Sequence, residues 1–471
     1  MPATHTHEHD VPCIAFCSQE HNAALMANPL TTSADVVLHL ADFVDDQEYL
    51  FFVPVSTTWK NAWGRRPKQT RAVTLHTTVL RLVHSFRSGL QKRGAVCEAA
   101  VILGRLDLLQ CARAYKCPWP DALYRTAVNG GHVNVMAWAC AHDCPLENDT
   151  CRVASRAGQL RALQWAHENG CPWDEGTCTE AAFKGDLAII RWARSAGWPW
   201  GERTCRQAAL AGHLGTLQWA RENGCPWNEE TTSVAAIGGH LGIIQWARAN
   251  GCPWDQDTCS SAAYAGRLEL LQWARENGCP WDRNTCSNAA CVGHLALLQW
   301  ARGNGCPWDE STCSGAAGGG HLGVIQWARS NGCPWDAITC STAAGGGHLD
   351  VIQWARSNGC PWHEITCSSA AFGGHLEVLQ WAHENGCPWD TLTCSAAAWG
   401  GKLDVLQWAR ANGCPCDQTT CQSAAGQGHL GILKWARANG CPWDAETVQA
   451  ALRNGHNDVA TWAAANGCPE S

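Results

Sequence analysis

Thirteen tryptophans stand 27 residues apart, from Trp138, Trp165 and Trp192 through to Trp408, Trp435 and Trp462, and no insertion breaks the register. They sit inside a recurring stretch, G-H-L-x-x-[LI]-Q-W-A-R-x-N-G-C-P-W-[DN], seen at residues 212–228 and again at 239–255. A strict period of this length forces a stacked array. One unit is too small to bury its own apolar face, so each must pack on its neighbours. The length of 471 residues therefore does not imply several independent domains; an array grows by adding units to one core.

Residues 173–197 serve as a reference unit. Asp174 stands at an N-cap, with Trp173 before it and Cys178 at the fifth residue as a hydrophobic staple. The spacing predicts a first helix over 175–184, rich in small residues, with Ala181-Ala182 allowing close backbone approach. Gly185 ends it as a left-handed terminator. A second helix over 186–196 sets Leu187, Ile189, Ile190, Trp192 and Ala193 on one apolar arc, with Arg191 and Arg194 on its polar side. Pro199 then takes the chain out of helix. Counting that proline along the chain gives 14 such units.

The core Ala208-Ala209, Gly212-His213-Leu214, an apolar helix and Gly224, repeated at Ala235-Ala236, Gly239-His240-Leu241 and Gly251, resembles the ankyrin repeat. The resemblance spans about four fifths of the chain and implies an all-α, ankyrin-like solenoid whose surface binds protein partners. Two features depart from that family. The usual Thr-Pro-Leu-His opening is Thr-Cys here, as at Thr204-Cys205 and Thr258-Cys259. The unit is about six residues short, and the loss falls where ankyrin repeats carry their β-hairpin finger; Cys-Pro-Trp-Asp is what remains.

The formal charge of −8 argues against a general nucleic-acid or polybasic membrane surface. No apolar run reaches the roughly 20 residues a membrane helix needs, and residues 1–13 do not read as a signal peptide. The expectation is a cytoplasmic monomer, the nucleus left open, with protein partners, no nucleic acid and no membrane.

Thirty cysteines follow the repeat. Thirteen precede a proline, from Cys117 to Cys468, and eleven form a second ladder from Cys97 and Cys151 to Cys421. Equivalent positions in stacked helices lie roughly 8–10 Å apart, beyond the ~7 Å a disulfide spans. Neither ladder is expected to cross-link to itself, and both read as small buried apolar side chains. The ladders accept Trp198, Thr232, Tyr124 and Val448, and the histidine ladder (His213, His240, His294 and onward) accepts Asp186, Arg267 and Lys402. Metal ligands do not vary so. No nucleophile elbow, phosphate loop or isolated carboxylate pair is present. No catalytic residue, cofactor or metal is expected. The arginine ladder, Arg194, Arg221, Arg248 and onward, is expected to pack its stems and pair with nearby carboxylates.

What varies points to binding. The residue two before each inter-helix glycine ranges from glycine to tryptophan in units otherwise nearly identical. Phe183, Leu210, Tyr264, Phe372 and Trp399 are the candidate partner contacts.

Ahead of the array, residues 1–32 read as a disordered tail with His5, His7 and His9. Residues 67–95 read as a basic linker leading into a helix at Val79, Leu82, Val83 and Phe86. Between them, 33–66 hold short apolar helices. The order Leu38, Phe43-Val44-Asp45-Asp46, Tyr49-Leu50 and Val55-Ser56-x-x-Trp59 resembles an F-box, although the usual opening Leu-Pro is Ala34-Asp35 here. That resemblance implies docking to a cullin ubiquitin-ligase adaptor through Leu38, Phe43, Tyr49, Leu50 and Trp59. A helical cap on the first repeat stands as the other reading. The array, 96–471, is then an interaction scaffold, or the substrate receptor of such a ligase.

Overall fold

The computed structural model describes residues 94–469 and, before them, Val79, Leu82 and Val83. The tail, the F-box-like region and its residues Leu38, Phe43, Tyr49, Leu50 and Trp59 lie outside the described residues, as does Phe86. Val79, Leu82 and Val83 are helical, and Leu82 is fully buried. Among the described residues there are 28 helices and no strand. The chain divides into two compact units, Met1–Trp200 and Gly201–Ser471. Each is an all-helical stack of helix-turn-helix repeats.

The local expectations hold closely in the repeat at 173–197. Its first helix is Glu175–Lys184, closed by Gly185 at φ +72°, and its second is Leu187–Ser195, with Asp186 accepting from the amide of Ile189. Asp174 takes the extended N-cap conformation without a side-chain cap. In the second unit Asp255, Asp282, Asp309, Asp336, Asp390 and Asp417 each accept from the backbone N–H two residues on. These caps satisfy amides that have no partner within the helix.

Successive first helices of the second unit pack directly on one another, and successive second helices touch far less. The repeated Ala-Ala pair, wholly buried at Ala316-Ala317 and Ala343-Ala344, makes this possible. The approach reaches the backbone: a Cβ on Gly319 would sit 2.3 Å from the carbonyl oxygen of Cys291. Thr342 then donates its hydroxyl to the Ser314 carbonyl at 3.0 Å, and Asn288 donates to Ser260 at 3.2 Å.

The histidine ladder closes the turns. Nε2 of His348 lies 3.1 Å from the Gly318 carbonyl and that of His375 3.1 Å from Gly345, each reaching back 30 residues. A carbonyl only accepts, so the proton sits on Nε2. The ring of His348 rests on Gly320, whose φ is +73°. Two requirements meet at this glycine: a left-handed backbone and room for the ring. Arg267 and Lys402 lie over Gly239 and Gly374 in the same manner, so the slot asks for a flat or flexible polar side chain.

At the other end of each unit the tryptophans form a second seam. Trp281 meets Trp300 edge-on at 5.9 Å and Trp308 meets Trp327 at 5.9 Å, an arrangement worth about 0.5–1.5 kcal/mol beyond burial. The arginine ladder departs from expectation. Arg302 lies over Trp308 at 4.0 Å and Arg329 over Trp335 at 4.1 Å. Each donates from Nη1 to the carbonyl of a Cys-Pro cysteine, Cys306 and Cys333. The partners are a π face and a backbone carbonyl at the helix C-terminus, where a cation is favoured, in place of carboxylates.

Two glycines separate backbone strain from close approach. Gly332 has φ +82° with nothing near its Cβ direction, whereas Gly320 also faces the His348 ring at 2.5 Å. Gly332→Ala should cost about 1–2 kcal/mol from the left-handed backbone alone. Gly320→Ala should cost clearly more in chemical denaturation. Equal losses would remove the histidine from the account of the turn.

Candidate binding surface

The structure places the sequence-derived residues as follows. Phe183, in the first unit, is 44% exposed; in the second unit Tyr264, Phe372 and Trp399 are 52%, 52% and 53% exposed, and Leu210 is half-buried. All five stand at or next to the C-terminal end of a first helix. Ile237, also exposed, occupies the same register between Leu210 and Tyr264. An isoleucine among aromatics does not stand out in the sequence, though its spacing of 27 marks it. Beyond it the row passes through Cys291, which is exposed, and then two bare positions, Gly318 and Gly345, before Phe372 and Trp399.

A second row lies at the opposite end of the same helices. Ile338, Ile365 and Leu392 are each about half exposed in three successive units. Other units carry Asp257, Asn284 or Ser311 there. Ile365 and Phe372 are seven residues apart on the helix Glu364–Gly373, as are Leu392 and Trp399 on Thr391–Trp399. That is about two turns, so each pair shares one face. The neighbouring helix Ala337–Gly346 contributes Ile338 and the bare Gly345. Between the rows lie Ser369, Ala396 and Thr342, small and half-buried. The result is a shallow apolar strip over three adjacent first helices, edged by isoleucine and leucine on one side and by aromatics on the other.

Wedges also open beside the Pro-Trp loops of the first unit. One, of about 430 Å³, is lined by Glu98, Trp119 and Asp121; another, of about 280 Å³, by Asp149, Arg152 and Trp173. Neither includes a residue of the variable row. Among the described residues no three His, Cys, Asp or Glu are grouped to hold a metal ion, and no helix is long and apolar enough to cross a membrane.

The cysteines behave differently from simple apolar fillers. The Cys-Pro thiols donate to the carbonyl of the cap residue one unit back: Cys306 to Asp282 at 3.4 Å, Cys333 to Asp309 at 3.5 Å, Cys360 to Asp336 at 3.4 Å. The two ladders also meet each other, which a ladder-by-ladder reading overlooks. Cys340 and Cys360 share one buried cluster, and Cys151 Sγ and Cys421 Sγ lie 3.8 Å and 3.9 Å from the carbonyl oxygens of Cys171 and Cys441 in the same repeat. In the first unit the neighbouring Cys151 side chain holds the Cys171 thiol down to about 7, while Cys151 is pushed far up. Such a pair loses one proton readily and the second with difficulty, because the first thiolate is held by its neighbour's S–H. Cys252, whose counterpart slot is Thr232, is pushed up to about 12 by burial.

No protein-family model matches the sequence, nor does any curated protein. Among solved structures, the pentatricopeptide repeat protein PPR10 from maize aligns at 14% identity and a TM-score of 0.28, over 95% of this chain and 82% of its own. The same protein in complex with an 18-nt psaJ RNA element aligns at 15% and 0.25, with the same coverage of both chains. The human ASB11 ankyrin repeat domain aligns at 16% and 0.26, over 39% of this chain and 84% of its own. The exclusion of nucleic acid drawn from net charge is corrected by the RNA complex: a helical repeat array is among the matches with RNA on it. The physical reason is that −8 is a sum over the whole chain. It says nothing of the charge on any one edge.

Burial of the thiols sets an alkaline limit on stability. Cys97, Cys252 and Cys421 are raised from 9.0 to about 12, in each case chiefly by burial. Unfolded, they ionise near 9.0; folded, they keep their protons, so unfolding releases protons between these values. Their stabilising contribution is complete below about pH 9 and is lost as pH rises towards 12. Denaturant midpoints at pH 8, 9, 10 and 11 should fall progressively above pH 9. A flat profile would contradict the burial of these thiols.

Proposed function

We propose that this chain is a protein-interaction scaffold, and that a partner docks apolar side chains onto the strip formed by Ile338, Ile365, Phe372, Leu392 and Trp399. One observation carries the reading. These large side chains are exposed on three successive first helices, and Ile338, Ile365 and Leu392 stand where other repeats carry Asp257, Asn284 or Ser311. Contiguous apolar surface on an otherwise polar face marks an interaction site, and a stack of packed helices presents it preorganised. Phe183, Leu210 and Tyr264 extend the same register as weaker contacts. We read the repeats as a short, fingerless ankyrin-like form; the Gly-His-Leu turns support this, with each histidine ring seated on the preceding unit's glycine.

The test uses the full chain as bait. Phe372→Asp and Trp399→Asp should leave the melting transition nearly unchanged, since exposed positions cost within about 0.5 kcal/mol. They should abolish capture of the partner seen with the wild type, whereas Tyr115→Asp, at a helix cap outside the strip, should not. Capture that survives both substitutions, or that is lost on nuclease treatment, would overturn the proposal.

A second reading makes the scaffold the substrate receptor of a cullin-type ubiquitin ligase. It is favoured by Val55-Ser56-x-x-Trp59 following Asp45-Asp46, a spacing that a cap does not need. Deleting residues 1–63 should leave the array folded and its partner bound while adaptor and cullin are lost from the purified complex. Self-association of the truncated chain, with no adaptor bound by the full chain, would identify a cap instead.

A further inference from the structure

We propose that the paired thiols are disulfide sites, each able to join the first helix of a repeat to the loop that ends the same repeat. The placement carries this. In ten repeats a buried cysteine of the first helix is followed 20 residues later by a buried Cys-Pro cysteine, among them Cys205 and Cys225, Cys286 and Cys306, and Cys313 and Cys333, and Cys421 Sγ reaches to 3.9 Å from the Cys441 carbonyl oxygen. Cys340 and Cys360 share one buried cluster with Trp335, Trp354 and Trp362. Cys151 Sγ lies 3.8 Å from the Cys171 carbonyl oxygen. All of these cysteines are free thiols here. Packing alone does not ask for two thiols in contact: Thr232 stands opposite Cys252 in one repeat and Trp198 opposite Cys178 in another.

The oxidant is a low-molecular-weight disulfide such as oxidised glutathione. One cysteine thiolate attacks its sulfur, forming a mixed disulfide and releasing one glutathione thiolate. The partner thiolate then attacks the protein-side sulfur, closing the intra-repeat disulfide and releasing the second glutathione. Both protons leave on the two glutathione molecules. The neighbouring thiol stabilises the first thiolate, as does Arg329 beside Cys333, so a pair has a ready nucleophile and an adjacent resolving thiol. The sulfurs are buried, so oxidation proceeds through local opening of a repeat, for which a stack of nearest-neighbour contacts is suited. Closure then ties both helices of that repeat together.

The test exposes the full chain to a graded series of reduced and oxidised glutathione, followed by alkylation, intact mass and non-reducing peptide mapping. Relative to the reduced and alkylated chain, each closed pair should lower the mass by that of the two alkyl groups its thiols would otherwise carry. The linked peptides should join cysteines 20 residues apart in one repeat, and Cys252 should remain alkylated. Cys313→Thr copies the natural Thr232 slot and should remove one link, leaving Cys333 alkylated; Thr232→Cys should add a link to Cys252. Melting should rise on oxidation and return with dithiothreitol. Thiols that stay fully alkylated across the series, single glutathione adducts without closure, or links between different repeats would each overturn the proposal.

Discussion

The array depends on how closely successive first helices approach. At Gly319 and Gly400 the preceding first helix comes so close that a Cβ would sit 2.3 Å from the carbonyl oxygens of Cys291 and Phe372 respectively. Contact at that range leaves no room for a Cβ at these two glycines, and beside them the packed face is held by small pairs such as Ala316-Ala317. The same constraint decides what is left free. A helix whose packed face is fixed by small residues projects its other face outward at a regular spacing, so variation in the array collects on that face. The strip of Ile338, Ile365, Phe372, Leu392 and Trp399 is a product of this division.

The loop edge is governed by backbone satisfaction. A chain that turns after each second helix leaves carbonyls with open acceptor sites, and a buried polar group left wholly unsatisfied costs about 1–3 kcal/mol. Three side chains per repeat meet that need. Asn304 donates to the Trp300 carbonyl at 2.8 Å, Arg302 donates to Cys306, and the Cys306 thiol donates to Asp282. Cysteine suits this place because it is small, apolar in bulk and still carries a weak donor. Alanine would fill the volume and leave the carbonyl with one partner fewer.

The binding strip and the thiol pairs occupy different parts of a repeat. The strip lies on the exposed face of the first helices, and the thiols lie where the first helix meets the end of its own repeat. Their effects need not compete: a disulfide within a repeat leaves Phe372 and Trp399 where they are. Binding energy in such an array is drawn from residues spread over several units, so stiffening each unit lowers the ordering cost of the whole surface.

Much of this architecture is legible from residue spacing. The period of 27, the Asp174 cap position, the helix Glu175–Lys184 and the termination at Gly185 all follow from local rules, because caps, turns and terminators act within a few residues. The exposed register of Phe183, Tyr264, Phe372 and Trp399 is readable because the repeats supply their own comparison. Contacts between repeats are not. That His348 sits on Gly320 and reaches the Gly318 carbonyl, that Arg302 faces Trp308 and a carbonyl in place of a carboxylate, and that the Cys333 thiol reaches the Asp309 carbonyl are facts of three-dimensional packing. Each joins residues that no local rule relates. Ile365 and Leu392 escape a sequence reading for the same reason: their face becomes a surface only when neighbouring helices leave it uncovered. The sequence determined the repeating unit and its turns; tertiary packing decided which of its polar and apolar groups find one another.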